Sequence, residues 1–263
     1  MEILVCIKRV PETAEAELKI GPTGKEIVRE NLVFDTNESD NYALEEALLL
    51  KEKSGGSITL ISVGPQEADE VIRMGLAKGA DRAIRITDAK LAGSDGYATA
   101  RTIAQAVGDL KYDIILCGCI ASDDGFSQVG PTLAEILGIP HAVYVTKLLV
   151  NGNVAKVHRE LEGGLIEVLE IKLPAVLALQ TGINEPRYAS MIGIKRAGSK
   201  EVKVFDCSGI GLSENDTGEP GSPTSVERLY VPPKTRQAEI IKGNADEVTA
   251  KLAQIIKEKG VLQ

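Results

Sequence analysis

A loop of small and acidic residues, 118–128, runs directly into an amphipathic segment that predicts a helix. Amide N–H groups in the first turn of a helix have no intrahelical acceptor and attract anions, and Ser127 adds a hydroxyl group there. Pro131 fits such a first turn because it has no N–H group to lose. The segment therefore predicts a phosphate site. The same residue types also begin ordinary helices, and Asp123 and Asp124 would repel a phosphate unless they faced a ribose or a base.

The rest of the sequence carries little self-contained chemistry. His141 and His158 lie beside no nucleophile motif, and the chain has no G-x-G-x-x-G, G-x-x-x-x-G-K-[ST] or G-x-S-x-G sequence. The four cysteines lack the spacing of metal ligands, and we expect them to be small buried residues of a reducing compartment. Lys8 and Arg9 could neutralise a phosphate or remain solvated loop charges. No metal site and no catalytic side chain are expected.

Four short β-branched runs in the first half alternate with helical patterns, which is typical of βαβ units and a parallel sheet. The runs cover residues 2–7, 57–63, 82–86 and 113–117, and helical periods cover 41–53, 68–79, 100–108 and 129–137. The last period predicts a buried stripe of Val129, Leu133, Ile136 and Leu137. Ligands of such a sheet lie outside the carboxyl ends of its strands. The long stretch 11–37 is expected to be functional or to carry its own hairpin.

The second half of the chain has a different pattern. Residues 153–159 and 165–172 flank Glu162-Gly163-Gly164 and predict an antiparallel hairpin, and an apolar run follows at 175–179. Residues 213–225 have the composition of an open linker. Asn244 and Glu247 predict a capping box that begins a last helix. Its apolar face, Val248, Leu252, Ile255 and Ile256, must fold back onto this chain or dock on another one.

Composition excludes several classes of function. The 263 residues (28.0 kDa) include 30 Lys+Arg and 38 Asp+Glu, which gives a net charge of −8 and a pI near 5.1. No run of five basic residues occurs, so nucleic acid is not an expected partner. No window reaches the roughly 18 to 20 apolar residues of a membrane helix, and the start MEILVCIKRV does not fit a signal peptide. We expect a soluble cytoplasmic protein.

Six segments in order resemble the β subunit family of electron transfer flavoproteins. They are ILVCIKRVPET, NESDNYALEEALLLKEK, VGPQEADEVIRMGLAKGADRAIRI, ASDDGFSQVGPTLAEILGIP, the pattern V-x-R-x-x-[DE] with L-P after it, and NEPRYAS. The pattern corresponds to Val157, Arg159 and Glu162, followed by Leu173 and Pro174. One departure is visible, because GGLIEVLEIKLP is one residue longer than the family pattern.

The resemblance implies a Rossmann-like α/β fold of the adenine nucleotide α-hydrolase type, with an antiparallel hairpin and an extended C-terminal arm that ends in a helix. Residues 1–190 would form the nucleotide-binding domain, and 191–263 the recognition-loop region and the arm that wraps an α subunit. That α subunit binds the redox-active FAD. The β subunit holds either structural AMP or a second FAD, which carries out electron bifurcation with NADH.

The resemblance also implies site residues. The nucleotide pocket would consist of Cys6, Asn37, Glu38, Ser39, Asp40, Val63, Ala121, Ser122, Asp123, Asp124, Gly125, Phe126, Ser127, Gln128, Val129, Gly130, Pro131 and Thr132. Pro11, Thr13 and Arg159 would approach the FAD of the α subunit. Met191 falls where the family places its apolar anchor for acyl-CoA dehydrogenases, although a methionine there could also fill a local gap.

The choice between AMP and a second FAD depends on the loop. Gln128 to Pro131 and Pro11 to Thr13 resemble bifurcating members, whereas Asp123-Asp124 resembles AMP-binding members. Phe126 fits neither pattern, and Asn37-Glu38 replaces the usual Asn-Pro. We expect a second FAD, and the alternatives are a single-FAD shuttle with AMP or a non-redox regulatory domain that binds an adenine nucleotide. An ATP-using adenylating enzyme is disfavoured because its loop would follow a strand, whereas Ser54-Gly55-Gly56-Ser57 precedes one.

Overall fold

The computed structural model describes residues 1–14, 16–233 and 240–260. Its strands are β1 (Glu2–Cys6), β2 (Arg9–Pro11), β3 (Phe34–Thr36), β4 (Ser57–Val63), β5 (Arg82–Ile86), β6 (Ile114–Gly118), β7 (His141–Asn151), β8 (Val154–Glu160), β9 (Ile166–Lys172), β10 (Ala175–Leu179) and β11 (Val202–Phe205). Its helices are α1 (Glu38–Ser54), α2 (Asp69–Lys78), α3 (Gly96–Val107), α4 (Val129–Leu137), α5 (Met191–Ala197) and α6 (Ala245–Glu258).

Nine of the strands form one sheet in the order β11-β5-β4-β1-β6-β10-β7-β8-β9. The strands from β11 to β7 are parallel, and β8 and β9 extend the sheet in antiparallel fashion. From β1 the chain builds β4 and β5 on one side and then places β6 on the other side. This reversal next to β1 is the topological switch point of a doubly wound sheet. The Rossmann-like fold expected from the sequence is confirmed.

The core has two layers because successive residues of a strand point to opposite faces of the sheet. On one face Val5 and Leu116 pack with α1 and α2, and on the other face Leu4 and Ile115 pack with α3 and α4. Both layers are closed to solvent, which explains why the parallel strands are apolar along their whole length. The sheet is therefore a rigid platform for the loops at its carboxyl edge.

The stretch 11–37 carries antiparallel structure of its own, as expected. Strand β2 pairs with β3 in a separate two-stranded sheet, and an isolated bridge joins Ile20 to Ile27. Arg9 also lies over the ring of Phe34 at 3.9 Å from its centroid. This excursion returns the chain to the start of α1, beside the carboxyl end of β1.

The antiparallel part has three strands, whereas the sequence predicted only the hairpin of β8 and β9. Strand β7 was missed, and its pairing with β8 shifts register between Val145 and Lys147. The register of β9 is defined along its length, with Arg159 opposite Glu167 and Val157 opposite Leu169. The pairing of β8 with β9 is continuous from Val154 to Glu160, without a bulge.

Two expectations about helical and linker segments were wrong. Ile136 is 40% exposed, and the buried residues of α4 are Gly130, Leu133 and Ala134. The helix approaches the sheet so closely that a Cβ at position 130 would lie 2.9 Å from the Cys117 sulfur. The buried face is centred on Gly130, Leu133 and Ala134, and Ile136 lies at its edge. The segment 213–225 is not an open linker either. Thr217 is fully buried, and the Gly218 N–H donates to Ser94 Oγ at 3.0 Å, because polar contacts rather than apolar burial fix this segment.

The region after residue 186 also contains α5 and β11, which no pattern predicted. Strand β11 pairs with β5 at the edge of the large sheet. A functional division of the chain at residue 190 stays a prediction. The capping box of α6 is confirmed, since the Asn244 side chain accepts from the Glu247 N–H at 3.0 Å. No residue of α6 is buried.

Among the described residues, no helix is long and apolar enough to cross a bilayer. All four cysteines are buried and free, as expected from their spacing.

Candidate functional site

The carboxyl ends of β1 and β6 lie side by side at the switch point, and each strand continues into a loop. In a doubly wound sheet the loops at this point border a crevice. Ile7 and Lys8 follow β1, and residues 119–128 follow β6 and lead into α4. Crevices of this kind bind ligands in doubly wound sheets because loops from adjacent strands separate there. We call the space bounded by these two loops and the start of α1 the switch-point crevice.

Asp40 joins the two sides of the switch-point crevice. Its Oδ2 accepts the Lys8 N–H at 2.8 Å, and its Oδ1 accepts the Gly118 N–H at 2.9 Å. The residue is 6% exposed. Burial raises the pKa of the Asp40 carboxyl to about 6, and the two backbone hydrogen bonds oppose that rise. Asp40 therefore holds the ends of β1 and β6 at a fixed separation.

Gly118 permits this arrangement by lacking a side chain. A Cβ at position 118 would lie 2.5 Å from Asp40 Oδ1 and 2.5 Å from the Ser39 Cβ. No other residue type fits such a close approach without a shift of α1. Sequence reasoning did not assign Gly118 to the site. The sequence did contain a signal for this position, because Gly118 ends an apolar strand directly before a loop of small residues.

Asn37 stands at the N-cap of α1, but its side chain does not cap the helix. Its Nδ2 donates to the Ile120 carbonyl at 2.9 Å, and its Oδ1 accepts the Ser122 N–H at 3.1 Å. Its own N–H donates to the Lys8 carbonyl at 2.8 Å. Asn37 is 2% exposed, so these bonds form in a protected environment. One side chain thus fixes the β6–α4 loop against the loop that follows β1.

Lys8 pairs with both acids of the β6–α4 loop. Its Nζ lies 2.6 Å from Asp123 Oδ1 and 2.8 Å from Asp124 Oδ2. Burial lowers the pKa of Lys8, but the hydrogen bonds from the two carboxylates outweigh that effect and leave the pKa raised. The two acids expected to repel a phosphate therefore share a cation. Sequence reasoning left the role of Lys8 open, because its partners are more than a hundred residues away.

The β6–α4 loop exposes groups that are able to contact a ligand. The ring of Phe126 is 58% exposed, and a Cβ at Gly125 would have open space around it. Ser127 has a φ of 55°, a left-handed conformation that is costly for a serine and sets the entry into α4. The N–H groups of Val129 and Gly130 lie in the first turn of α4, where a helix provides no intrahelical acceptors.

The thiols of the region are not nucleophiles. Burial, followed by the charge of Asp40, raises the pKa of the Cys6 thiol to about 12, and burial also raises the pKa of the Cys117 thiol well above its usual value. The Cys119 thiol donates to Gln180 Oε1 at 3.2 Å, a contact that sequence reasoning missed. Within residues 1–14, 16–233 and 240–260, no group of three or more His, Cys, Asp or Glu side chains is arranged to hold a metal ion.

The predicted pocket residues form a compact set around the switch-point crevice. Cys6 ends β1, residues 37–40 are the N-cap and first residues of α1, and residues 121–132 form the loop and the first turn of α4. Val63 ends β4 and packs against the core layer that contains Cys6 and Cys117. The side chains of Asn37 and Asp40 bond to protein groups, so we assign them to the frame of the crevice. Glu38, the first residue of α1, is exposed.

The other predicted residues lie on separate elements. Pro11 is buried at the end of β2, and Thr13 is exposed in the excursion that follows. Arg159 lies on β8, and its Nε is 3.2 Å from Glu167 Oε2 on β9. Met191 begins α5 and is 81% exposed. The structure thus brings the pocket residues together but not these four.

Comparisons with known proteins agree with this architecture. The sequence model of the family described as "Electron transfer flavoprotein domain" matches residues 26–208. The electron transfer flavoprotein subunit beta of Thermoanaerobacterium thermosaccharolyticum is 41% identical over 100% of both chains. Subunit CarD of the caffeyl-CoA reductase-Etf complex of Acetobacterium woodii is 37% identical over 100% of both chains. Protein FixA of Azotobacter vinelandii is 35% identical over 93% of this chain and 89% of its own. With its switch-point crevice and full-length similarity to these proteins, the chain belongs to the electron transfer flavoprotein β subunit family.

Proposed function

We propose that this chain is the nucleotide-binding subunit of a heterodimeric electron transfer flavoprotein, which passes electrons between FAD groups and a partner dehydrogenase. The observation that carries the proposal is the frame of the switch-point crevice. Asn37 and Asp40 direct their side-chain hydrogen bonds to backbone groups from both sides of the switch point, and this fixes the loop that leads into the first turn of α4. Family membership supports a heterodimer with an α subunit that binds FAD.

The residues of the crevice fit an adenine nucleotide. The first-turn N–H groups of α4 and the Ser127 hydroxyl would hold a phosphate, since they are uncommitted donors at the positive end of a helix. Asp123 and Asp124 would accept hydrogen bonds from ribose hydroxyl groups while Lys8 neutralises part of their charge. Cys6 and Val63 supply apolar surface. The thiols are buried and the sequence has no nucleophile motif. We therefore infer that this chain binds and orients the nucleotide.

We propose that the bound nucleotide is a second FAD that serves NADH-linked electron bifurcation. The exposed ring of Phe126 supports this choice, because an aromatic residue at the mouth of the crevice is able to stack on a flavin ring. The flavin groups supply the electron transfer itself, and this chain sets their position and surroundings. The alternative is a single-FAD shuttle in which this subunit holds structural AMP, and Phe126 closes the crevice. Asp123-Asp124 favours that alternative.

The partner surfaces are proposed from exposed groups. Tyr188, Met191, Ile192 and Ile194 are 97%, 81%, 64% and 48% exposed, and we call them the apolar patch. Several large apolar side chains exposed within a short stretch of chain are typical of a protein contact. We assign it to an acyl-CoA dehydrogenase-like flavoprotein. Pro11, Thr13 and Arg159 are assigned to the FAD of the α subunit, and the arm with α6 to the α subunit itself.

The experiment that tests this function is a cofactor count. The chain is expressed with its α subunit, the heterodimer is denatured, and released FAD and AMP are quantified. Two FAD per heterodimer and no AMP support the second flavin. One FAD with one AMP supports the shuttle. A chain that purifies alone as a stable monomer with an exchangeable adenine nucleotide contradicts both and favours a regulatory domain.

A matched pair of variants tests the assignment of the crevice. Lys8→Met leaves Asp123 and Asp124 without a cation, so we expect the heterodimer to lose most of the nucleotide held by this subunit. Lys19→Met removes a lysine that is 67% exposed on the excursion and should leave the count unchanged. Full retention of nucleotide in the Lys8 variant would contradict the assignment.

A further inference from the structure

The segment 184–190 connects β10 to α5 and presents the first residue of the apolar patch. It has no regular secondary structure, so its position depends on side-chain contacts. While Tyr188 points into solvent, the polar side chains of Asn184 and Arg187 turn inward onto α1. The apolar patch is therefore held from beneath by polar bonds.

Arg187 makes most of these bonds. Its Nε and Nη2 reach the two carboxylate oxygens of Glu45 at 2.9 and 2.8 Å, and its Nη1 reaches Glu52 Oε1 at 2.6 Å. Its backbone N–H also donates to Glu45 Oε2 at 3.0 Å. The Glu45 side chain is only 6% exposed. A bidentate fork on a buried carboxylate fixes both the distance and the angle of the segment.

Two further side chains, each with two hydrogen bonds, secure the ends of the region. Asn184 Nδ2 donates to Glu46 Oε2 at 3.0 Å and to the Tyr42 carbonyl at 3.1 Å. At the far end of α5, Arg73 Nη1 on α2 donates to the carbonyls of Ala197 and Lys200 at 2.7 and 2.9 Å. The apolar patch thus lies between two fixed points on neighbouring helices.

This ion pair joins the buried Glu45 carboxylate to a guanidinium that is 33% exposed, and it is a poor source of stability because desolvation of the carboxylate offsets much of the attraction. Its geometric effect is larger, since the fork admits one orientation of the guanidinium. We propose that Arg187 is a positioning residue for electron exchange, which acts through Glu45 to hold the apolar patch in the orientation that docks a flavin dehydrogenase. This inference rests on the function proposed above.

The test compares Arg187→Lys with Met191→Ala in the heterodimer. Electron exchange with a purified acyl-CoA dehydrogenase is followed by flavin absorbance while the heterodimer concentration is varied. Lysine keeps the charge but cannot form the fork, so we expect KM for the heterodimer to rise about tenfold with kcat and cofactor content unchanged. Hydrogen exchange of amides 188–197 should become faster. Arg82→Lys, which alters an exposed ion pair with Glu2 at the amino ends of the strands, is the matched control.

A second variant is the control for folding defects, because a change at Arg187 alone leaves the buried Glu45 carboxylate without its full set of partners. Arg187→Gln combined with Glu45→Gln removes both charges and the fork, and it should also raise KM. If Met191→Ala raises KM and neither Arg187 variant does, the positioning role of Arg187 is contradicted while the assignment of the apolar patch as the docking surface is supported. If no variant changes KM, both the positioning role and the docking surface are contradicted. A rise in KM that is accompanied by loss of cofactor in the Arg187 variants would assign Arg187 to the fold alone and overturn the proposal.

Discussion

At the scale of single residues, the site depends on Asp40, whose burial disfavours the charged form of its carboxyl group. Asp40 accepts two backbone N–H groups, yet burial still raises its pKa from 3.8 to about 6. At Asp40 the folded chain therefore binds more protons than the unfolded chain between about pH 4 and 6, and the contribution of this group to stability falls as the pH rises through that window.

The pH dependence is testable with Asp40→Asn, which cannot ionise. From the two pKa values, the free energy of unfolding of the unaltered chain should fall by about 2 kcal/mol relative to that of the variant between pH 4.5 and 7.5. Urea denaturation of both proteins at several pH values measures this difference. A difference that is constant across the range would show that the carboxyl is not perturbed by burial.

Gly118 offers a second test at this scale. In Gly118→Ala the new methyl group meets Asp40 Oδ1 and the Ser39 Cβ at 2.5 Å, so α1 or the end of β6 must shift. We expect a loss of about 1 to 3 kcal/mol in the free energy of unfolding, which is the usual cost of overpacking. Gly108→Ala is the control, since its Cβ would have no neighbour closer than 3.5 Å. Equal stability of the two variants would contradict the steric argument.

At the scale of elements, the parallel strands were predictable because they are buried on both faces. Each strand is therefore a short continuous run of apolar residues that is visible in the sequence. Strands β4, β5 and β10 have the predicted bounds. Strand β7 was not predictable in this way. Its buried positions Ala142, Val145 and Leu148 are three residues apart because the register shifts near Val145, and this spacing hides the alternation of a strand.

The segment 213–225 was wrongly predicted as a linker because the contacts that order it come from residues far away in the sequence. Its composition is that of a linker, but Thr224 donates twice to Asp95 Oδ2, at 3.0 and 2.7 Å, across 129 residues of sequence. The candidate site likewise combines a local pattern, which the sequence shows, with long-range contacts, which it does not show. The loop of small residues before α4 is a local pattern, whereas the bond from Gly118 to Asp40 spans 78 residues and leaves no trace in either segment alone.

Helix α6 yields a prediction about assembly. No residue of α6 is buried, so its apolar face contributes little to the stability of this chain. Leu252→Glu should therefore leave the unfolding of the isolated chain unchanged but weaken its association with the α subunit at least tenfold, because a charge would be buried in the contact. Ala250→Glu, on the opposite side of the helix, is the control. Association is measured by sedimentation, and equal affinity of the two variants would contradict a role for this face.

At the scale of the whole molecule, the switch-point crevice lies where the two halves of the sheet meet. The halves share β1 and β6 as neighbours, and the loops of both halves converge on Asp40 and Asn37. A nucleotide in the crevice would contact loops from both halves at once. Its binding energy would then stabilise the entire folded chain rather than one loop, since unfolding of either half destroys the site.

Removal of the nucleotide should therefore lower the melting temperature of the whole subunit in a single transition. A ligand present at a thousand times its Kd contributes about 4 kcal/mol, which for a chain of this size corresponds to roughly 10 °C. Calorimetry of the heterodimer as purified and after nucleotide removal measures the shift, and addition of FAD or AMP separately identifies which compound restores it. Recovery with FAD alone would favour the second flavin, and recovery with AMP alone the shuttle. If neither compound changes the melting temperature, the crevice does not bind a nucleotide that links the two halves, and the stability of the subunit must come from the two buried layers of the sheet alone.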